Sequence, residues 1–357
     1  MKGKKFDLNI ETILEDWEIH HAIREIIANA LDEQKLTNTK DIEIFKDHKS
    51  RWHIRDYGRG LKYHHLTQNE NDEKLRHPNL IGKFGVGLKD ALATFYRNNV
   101  DVLIISKHGV ISLEKAEKTG FEDLMTLHAI IKPPYDQQFI GTEFILAGVP
   151  DREMALAKKF FLKFSKEKTL DTTSFGEILE KENNIANIYI NGVKVAEEEN
   201  FMFSYNITSI DTKIKRDLNR ERSNVGRSAY SDRIKNILLA SRNEKVMECL
   251  AKDIIKQSTG ESHDELHWID VQEHAVKILS TKDDVVLLTN DEIMEHPNMV
   301  DDIKRHNQIV TINKKLKERI RGQLDLYGNP IRDFYKYIEE YEQSFEYKFI
   351  HPSELSK

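Results

Sequence analysis

Alternating and amphipathic runs of apolar residues divide the chain into regular elements. Apolar positions recur with helical spacing over residues 10–36, which predicts one long amphipathic helix with a possible break near Trp17. A second helix is expected after the glycine-rich segment that begins at Ile81, as far as Tyr96. Short runs rich in β-branched residues predict strands at 41–46, 51–55, 100–106, 110–114, 126–131 and 141–146. Helices combined with a mostly antiparallel sheet predict an α+β sandwich over residues 1–150.

The pattern restarts after Pro150. The pair Asn191-Gly192 separates two apolar alternations, which predicts a tight hairpin over residues 188–195. Between residues 151 and 257 we also expect a helix at 151–166, a strand at 201–207, a basic loop at 213–227 and a long helix at 228–257. A small α/β unit is predicted by strands at 285–289 and 308–312 and by a closing helix at 330–346. The domains expected from these patterns are 1–150, 151–265 and 266–357.

Composition narrows the class of protein. The 357 residues are 39% hydrophobic and 32% charged with a formal net charge of -6, as in a globular protein with a charged surface. No apolar run reaches the ~18–20 residues of a membrane span, and the first residues lack the apolar core of a signal peptide. A single cysteine, Cys249, excludes an intramolecular disulfide and a multi-cysteine metal site. We therefore expect a cytoplasmic protein that does not bind membranes.

Three polar residues share one face of the first predicted helix. Glu25, Asn29 and Asp32 are three and four positions apart, so they are neighbours on a helix whose intervening positions are apolar. A carboxylate can take a proton from water, and an amide oxygen can ligate Mg²⁺. A solvated helix face has the same spacing, so this pattern alone does not decide between a site and a surface.

Two glycine-containing segments follow. Asp56 precedes Gly58 and Gly60 in a tight turn, where a carboxylate can accept a hydrogen bond from an exocyclic amine while the glycines admit a flat ring. The run after Ile81 opens a helix whose N-terminus favours an anion. Its candidate phosphate-binding residues are Gly82, Lys83, Gly85, Val86, Gly87, Leu88 and Lys89. It is not a Walker A loop, and an ordinary turn and a flexible loop remain the alternatives.

The order of these motifs resembles the GHKL ATPase superfamily, which includes gyrase, the ninety-kilodalton heat-shock chaperones, histidine kinases and MutL. Its signature is a Glu-x-x-x-Asn helix, an Asp-x-Gly-x-Gly turn, a glycine-rich loop and a Gly-Thr pair, and here these span residues 20–146. The Phe-Gly-Val-Gly-Leu-Lys form is most similar to the MORC and chaperone branches. The resemblance implies a Bergerat-type ATP-binding domain with ATP and Mg²⁺ as ligands.

The resemblance also implies a role for each residue. Glu25 would be the general base for the attacking water, and Asn29 would ligate Mg²⁺. Asp32, or Glu33 beside it, would support the nucleotide site. Lys89 would lie near the terminal phosphate. The residues implied to hold the adenine base are Asp56, Gly58, Gly60 and Thr142, the last supporting the aspartate through a hydrogen bond.

Two further segments have counterparts in the superfamily. Residues 62–81 fall where its members have an ATP lid, and residues 151–265 fall where hydrolytic members have a transducer domain that donates a cation to the γ-phosphate. From Lys213 to Lys235 there are eight Lys or Arg against three acids. We expect Arg220 to be the γ-phosphate sensor, and its rivals are Lys213, Lys215 and Arg222. A solvated basic loop or a patch for DNA is the alternative.

A pair of histidines four positions apart suggests a zinc helix. His263 and His267 have that spacing, but Asp264 stands where the zinc-protease motif has glutamate, and no third ligand is apparent. An exposed helix end is the simpler interpretation.

Together these features predict an ATPase that works as a slow conformational switch. Binding of ATP and Mg²⁺ would close residues 62–81, and the N-terminal domains of two subunits would associate as a homodimer. The alternative is an ATP-gated regulatory module with negligible hydrolysis that controls a separate effector. DNA or a partner protein is a further expected ligand, in a DNA-maintenance, defence or chaperone-like complex. Phosphotransfer as in histidine kinases is disfavoured by the presence of Glu25.

Overall fold

The computed structural model describes residues 4–8, 17–66, 80–81, 87–118, 124–218, 225–256 and 260–343. The chain folds as two compact units. The first comprises Met1–Glu167, Ile188–Ala196 and Asn206–Gly226, and the second comprises Lys168–Asn187, Glu197–Tyr205 and Arg227–Lys357. The three-domain division expected from the sequence stays a prediction.

The described strands, in chain order, are β1 (Lys4–Asp7), β2 (Glu43–Lys46), β3 (Trp52–Arg55), β4 (Asp101–Ser106), β5 (Gly109–Glu117), β6 (Met125–Lys132), β7 (Thr142–Ala147), β8 (Lys168–Thr172), β9 (Gly176–Glu180), β10 (Ala186–Ile190), β11 (Val193–Glu198), β12 (Ser204–Ile207), β13 (Val285–Leu288) and β14 (Gln308–Thr311).

The described helices are α1 (Ile19–Thr37), α2 (Gly87–Arg97), α3 (Asp151–Lys158), α4 (Thr212–Asp217), α5 (Arg227–Ala240), α6 (Glu244–Lys256), α7 (Ile269–Leu279), α8 (Asn290–Glu295), α9 (Pro297–His306), α10 (Lys314–Ile320) and α11 (Phe334–Gln343). Short 3-10 turns lie at Tyr63–Leu66, Leu162–Phe164 and Asp264–His267.

The largest sheet has seven strands in the order β1-β6-β5-β4-β7-β3-β2, and its strand pairs are antiparallel. This confirms the antiparallel sheet and the α+β class predicted from the sequence. Strand β1 was not predicted, because a four-residue basic segment carries little signal of its own. It forms by pairing with β6, where Phe6 lies opposite Ala129. A second sheet has the order β11-β10-β12-β9-β8, and a third pairs β13 with β14.

Helix α1 covers one face of the large sheet together with α2 and α3. Its apolar stripe, which includes Ile23, Ile26 and Ile27, is fully buried in the core. The helix begins at Ile19, directly after the expected break near Trp17, and residues 10–16 lie outside the described part of the chain. The helix ends at Asn38, whose left-handed backbone (φ 50°) terminates the helical hydrogen bonding.

Two local predictions after Pro150 had different outcomes. The hairpin is confirmed, since Asn191 and Gly192 adopt φ values of 50° and 82°, as a type I′ turn requires. The helix predicted over 151–166 is too long, because α3 ends at Lys158. Phe161 is instead extended and forms an antiparallel bridge with Val193, a long-range pairing that the helical periodicity did not reveal.

The second unit contains β8, β9 and the helices from α5 onward. The prediction of a single helix over 228–257 is wrong, because the helix is interrupted between α5 and α6. The Ser241 hydroxyl donates to Asp171 Oδ2 (2.6 Å), and the Asn243 amide donates to the Leu170 carbonyl (2.7 Å), which fixes this break. The two strands predicted at 285–289 and 308–312 are confirmed as β13 and β14, which run parallel, with Val286 opposite Ile309.

None of the helices in the described part of the chain is both long and apolar enough to cross a membrane.

Candidate functional site

One face of α1 carries the acidic residues of the candidate site. Glu25 and Asp32 are 4% and 1% exposed, and Asn29 lies between them and is half-buried. Burial of carboxylates is costly unless they are paired, so each must have a partner nearby. A partner of Glu25 lies on the helix itself, and a partner of Asp32 lies at the start of the glycine-rich segment. The solvated-face alternative for this pattern is therefore ruled out at these positions.

Glu25 is held by its neighbour in the chain. The Arg24 side chain donates to Glu25 Oε1 from Nε (3.2 Å) and from one terminal nitrogen (3.1 Å). The Arg24 guanidinium in turn lies over the rings of Trp17 and Phe160, at 5.4 and 5.3 Å from their centroids. Sequence reasoning missed Arg24, because nothing about its position next to Glu25 indicates that a buried ion pair forms.

The other carboxylate oxygen of Glu25 faces the first residue of α2. A Cβ built on Gly87 would clash with Glu25 Oε2, so only glycine permits this approach. The N-terminus of α2 therefore meets the carboxylate that the sequence assigned to water activation. This places Glu25 and the end of the glycine-rich loop side by side, as the motif order predicted.

Asp32 contacts the beginning of the same loop. Its Oδ1 accepts a 2.6 Å hydrogen bond from the Ile81 backbone N–H, and this peptide directly precedes Gly82. This hydrogen bond fixes the backbone where the glycine-rich loop begins.

Glu33 contacts the Asp-x-Gly-x-Gly turn. Its carboxylate accepts from the Arg59 backbone N–H (2.8 Å) and from two nitrogens of the Arg59 guanidinium (each 2.9 Å). A Cβ at Gly58 would clash with the Glu33 side chain, which explains the first glycine of the turn. Arg59 was not singled out from the sequence, although its place between two motif glycines was the available signal.

Asp56 joins the turn to strand β7. It is 5% exposed, and its Oδ1 accepts from the backbone N–H groups of Gly58 (2.9 Å) and Thr142 (3.2 Å). The hydrogen bond from Thr142 confirms the predicted contact between these two residues, although it comes from the backbone. Burial raises the pKa of Asp56 to about 6, against the opposing effect of these hydrogen bonds. Gly141, at φ +85°, has no room for a Cβ against the Asp56 carbonyl.

Lys89 lies in the first turn of α2. It is 8% exposed, and burial lowers its pKa, while the carboxylates of Asp90 and Asp7 oppose that shift. Within the described residues the ammonium forms no ion pair closer than 4 Å. A buried cation at a helix N-terminus is suited to an anionic ligand. Leu88 beside it belongs to the hydrophobic core, so its side chain anchors α2.

Several predicted site residues lie outside the described part of the chain. These are Gly82, Lys83, Gly85, Val86, Arg220 and Arg222, together with residues 67–79 of the expected lid. The other two sensor candidates, Lys213 and Lys215, lie in the short helix α4, which replaces part of the predicted basic loop. Asp211 caps this helix by accepting from the Ile214 N–H at 2.8 Å.

The His263–His267 pair forms a 3-10 turn stabilised by side-chain contacts. His263 Nδ1 lies 2.8 Å from Asp253 Oδ1, and Asp264 pairs with Arg227. Glu265 is completely buried and accepts hydrogen bonds from the Met202 N–H (2.8 Å) and the Tyr205 hydroxyl (2.9 Å). The histidines thus flank a hydrogen-bonded 3-10 turn with a buried centre, whereas the sequence predicted an exposed helix end.

Comparisons with known proteins give relatives without a described activity. A family model described as the Mycoplasma pneumoniae MPN635 N-terminal domain matches residues 152–244. An uncharacterized protein of Mycoplasma pneumoniae is 41% identical over 243 residues, which are 67% of this chain and 98% of that protein. A second uncharacterized protein of this organism is 30% identical over 159 residues, 44% of this chain and 40% of its own length.

A solved structure is also similar over part of the chain. It is the topoisomerase IV ATP-binding domain of Francisella tularensis in complex with a small-molecule inhibitor, and the similarity covers 54% of this chain and 69% of that one. The sequence identity is 18% and the TM-score is 0.27. A similarity this remote supports no functional argument.

Proposed function

We propose that this chain, which belongs to the same family as the uncharacterized Mycoplasma pneumoniae protein that it matches over 243 residues, binds ATP with Mg²⁺ and hydrolyses it slowly as a conformational switch. One observation carries the proposal: acidic residues of α1 contact two of the motif loops, the glycine-rich loop at both of its ends and the Asp-x-Gly-x-Gly turn. Glu25 meets Gly87, Asp32 holds Ile81, and Glu33 holds Arg59. A solvated helix would not be bonded to these segments.

The adenine base would be held by Asp56 and the glycines around it. The chemistry fits, because a buried carboxylate whose Oδ1 is fixed by two N–H groups can offer its remaining acceptor capacity to an exocyclic amine. The glycines let the turn pack closely and so fix the carboxylate, since Gly58 lies against the Glu33 side chain and Gly141 against the Asp56 carbonyl. Thr142 positions Asp56 by donating its N–H.

The phosphates would lie at the N-terminus of α2. Lys89 supplies a buried cation close to it, and helix N-termini favour anions. Residues 82–86 connect Ile81 to this helix, so the hydrogen bond from Ile81 to Asp32 fixes where that connection begins.

Asn29 would hold Mg²⁺, which when bound neutralises charge on the phosphates. Glu25 is one turn away on the same helix face, and its Oε2 is aimed at the start of α2, so this oxygen would orient a water and take its proton. Arg220 remains our proposed γ-phosphate sensor from the basic segment. ATP-dependent association of two subunits would follow from closure of residues 62–81, and DNA or an effector protein would respond to that state.

One observation favours a second candidate, an ATP-gated regulatory module with negligible turnover. Oε1 of Glu25 already accepts two hydrogen bonds from the buried Arg24. If Glu25 moves towards a water, it can lose this ion pair, and breaking a buried ion pair has a large free-energy cost. Very slow hydrolysis is consistent with that constraint.

The test compares Glu25→Gln with wild type and with Glu114→Gln, a control at an exposed glutamate of β5. We expect Glu25→Gln to bind ATP with unchanged affinity and to lose hydrolysis by at least about 100-fold, while the control keeps both. If wild type binds ATP but shows no turnover, with or without DNA, the regulatory module is supported. Full hydrolysis by Glu25→Gln contradicts the assigned base, and failure of wild type to bind ATP with Mg²⁺ overturns both candidates.

A further inference from the structure

A second cluster of metal-ligating side chains lies at the beginning of α1, two turns before the catalytic candidate Glu25. It comprises Glu18, His20 and Glu153, the last from the first turn of α3. One ligand atom of each residue lies within 4.8 Å of the others. We infer that these three residues form a binding site for a first-row divalent cation of the zinc class, separate from the nucleotide site.

The distances fit such a site. His20 Nδ1 lies 2.9 Å from Glu153 Oε2 and 3.5 Å from Glu18 Oε2. In a tetrahedral zinc site with metal–ligand bonds of about 2.0–2.2 Å, neighbouring ligand atoms lie roughly 3.3–3.5 Å apart. An opening of about half an ångström between His20 and Glu153 would therefore admit the ion. Three protein ligands would leave the fourth position for water or for another group.

The charge and chemistry of the cluster also fit. One imidazole with two carboxylates is a zinc-type donor set, and the two negative charges offset the positive N-terminal ends of α1 and α3. Helix capping accounts for only part of the arrangement. The His20 backbone N–H donates to Glu153 Oε2 at 3.1 Å, whereas Glu153 Oε1 has no hydrogen-bond partner among the described residues.

Neighbouring residues orient the ligands. The Phe160 ring stacks against His20 with centroids 6.1 Å apart and planes 11° from parallel. His21 Nδ1 accepts from the Glu18 backbone N–H at 3.1 Å, which fixes the first ligand relative to the helix. His20 and Glu153 are mostly buried while Glu18 is exposed, so an ion can enter from the Glu18 side. The bound ion would tie the start of α1 to α3.

The experiment uses the full chain, treated with a chelator and free of nucleotide, and titrates Zn²⁺ alone by calorimetry. Co²⁺ is added in a parallel sample to record its visible absorption. We expect one site per chain that His20→Ala weakens by at least about tenfold, which is 1.4 kcal/mol. Glu153→Gln, which keeps an acceptor for the His20 N–H, should also weaken it. His306→Ala, at an exposed histidine of α9, is the control and should not change it.

Thermal unfolding gives a second readout. Zn²⁺ should raise the Tm of wild type and of His306→Ala, and should not raise that of Glu153→Gln. Equal Zn²⁺ affinity and stoichiometry in wild type, His20→Ala and Glu153→Gln would overturn the inference, and the cluster would then be a hydrogen-bonded junction between two helices. Neither result depends on ATP binding, so this site and the proposed ATPase can fail separately.

Discussion

The backbone N–H of Ile81 donates a 2.6 Å hydrogen bond to Oδ1 of Asp32, a residue 49 positions earlier in the chain. The same short segment is held from its other side, because the Asn191 side-chain amide lies 3.4 Å from the Leu80 carbonyl oxygen. Leu80 and Asp32 are both buried. The segment that ends the expected lid is therefore anchored to α1 and to the hairpin turn, within the first unit.

Asp32→Ala should release this anchor. A hydrogen bond to a charged acceptor contributes about 1.5–3 kcal/mol, so the Ile81 amide should exchange with solvent roughly 10–100 times faster. ATP affinity should fall as well, because the glycine-rich loop would lose its fixed start. Asp32→Asn keeps an acceptor oxygen and should restore much of both. Native-state hydrogen exchange of the peptide containing Ile81 measures the effect, and unchanged protection in Asp32→Ala would contradict it.

The pKa of Asp56 predicts that the preference between two purine nucleotides, ATP and ITP, depends on pH. If Asp56 holds the base as proposed, the carboxylate would accept from the adenine amine above its pKa of about 6, and below it the protonated acid would be a donor that suits the 6-oxo group of inosine. The preference for ATP over ITP should therefore be about 10–100-fold at pH 8 and shrink as the pH falls below 6. Because ATP and ITP carry the same triphosphate, the effect of phosphate protonation cancels in the ratio of their two Kd values.

Asp56→Asn should abolish that pH dependence and favour ITP relative to ATP at every pH. Asp101→Asn, at an exposed position at the start of β4, is the matched control and should behave as wild type. A pH-independent preference in wild type would show that Asp56 does not read the base.

Gly87→Ala tests the close approach between α2 and Glu25. The added methyl group would overlap Glu25 Oε2, and the carboxylate cannot move away freely because Arg24 holds Oε1. We expect a loss of about 1–3 kcal/mol in the free energy of unfolding and a fall in ATP hydrolysis. Gly226→Ala adds a methyl group where no atom lies within 4 Å and should change neither.

A double-mutant cycle makes this test specific. Glu25→Asp shortens the side chain and should recover part of the stability lost in Gly87→Ala, measured by urea unfolding. If the two substitutions are additive, the residues do not interact as the structure shows.

Glu265 predicts a pH dependence of stability in the second unit. Burial raises its pKa from 4.5 to about 7 in the folded protein. Because the folded-state pKa lies above the unfolded value, protonation of Glu265 stabilises the folded protein. This contribution is fully present below pH 4.5 and is lost as the pH rises through 7. The shift corresponds to about 3 kcal/mol at most. Glu265→Gln cannot titrate, so its free energy of unfolding should fall less than that of wild type between pH 5 and pH 8. An equal decrease in the free energy of unfolding of wild type and Glu265→Gln would contradict the prediction.

Much of the first unit could be predicted from the sequence, because its signals are local. The strands of the large sheet alternate or are rich in β-branched residues, and the Asn191-Gly192 turn needs left-handed backbone that these residues adopt readily. The motif spacing also placed Glu25 beside Gly87 and Asp56 beside Thr142. These contacts follow from short motifs in a fixed order.

Other features depend on distant contacts and could not be predicted from local pattern. Strand β1 exists because β6 pairs with it, and α3 stops early because Phe161 pairs with Val193. The break between α5 and α6 depends on Asp171, which is remote in sequence. In each case a long-range hydrogen bond overrides a local preference that is worth only a fraction of a kcal/mol per residue, about 0–0.7 for most residue types.

The sequence by itself determined which residue types lie in the candidate site and in what order, since helical spacing puts Glu25, Asn29 and Asp32 on one face. Only the tertiary structure decided what each carboxylate does. Packing buries Glu25 and Asp32 and forces each to find a partner, Arg24 for the first and the Ile81 peptide for the second. The partly buried Glu33 pairs with Arg59. The contacts of the buried pair could not be read from the sequence, because a buried charge is satisfied by whatever donor the fold brings within hydrogen-bonding distance.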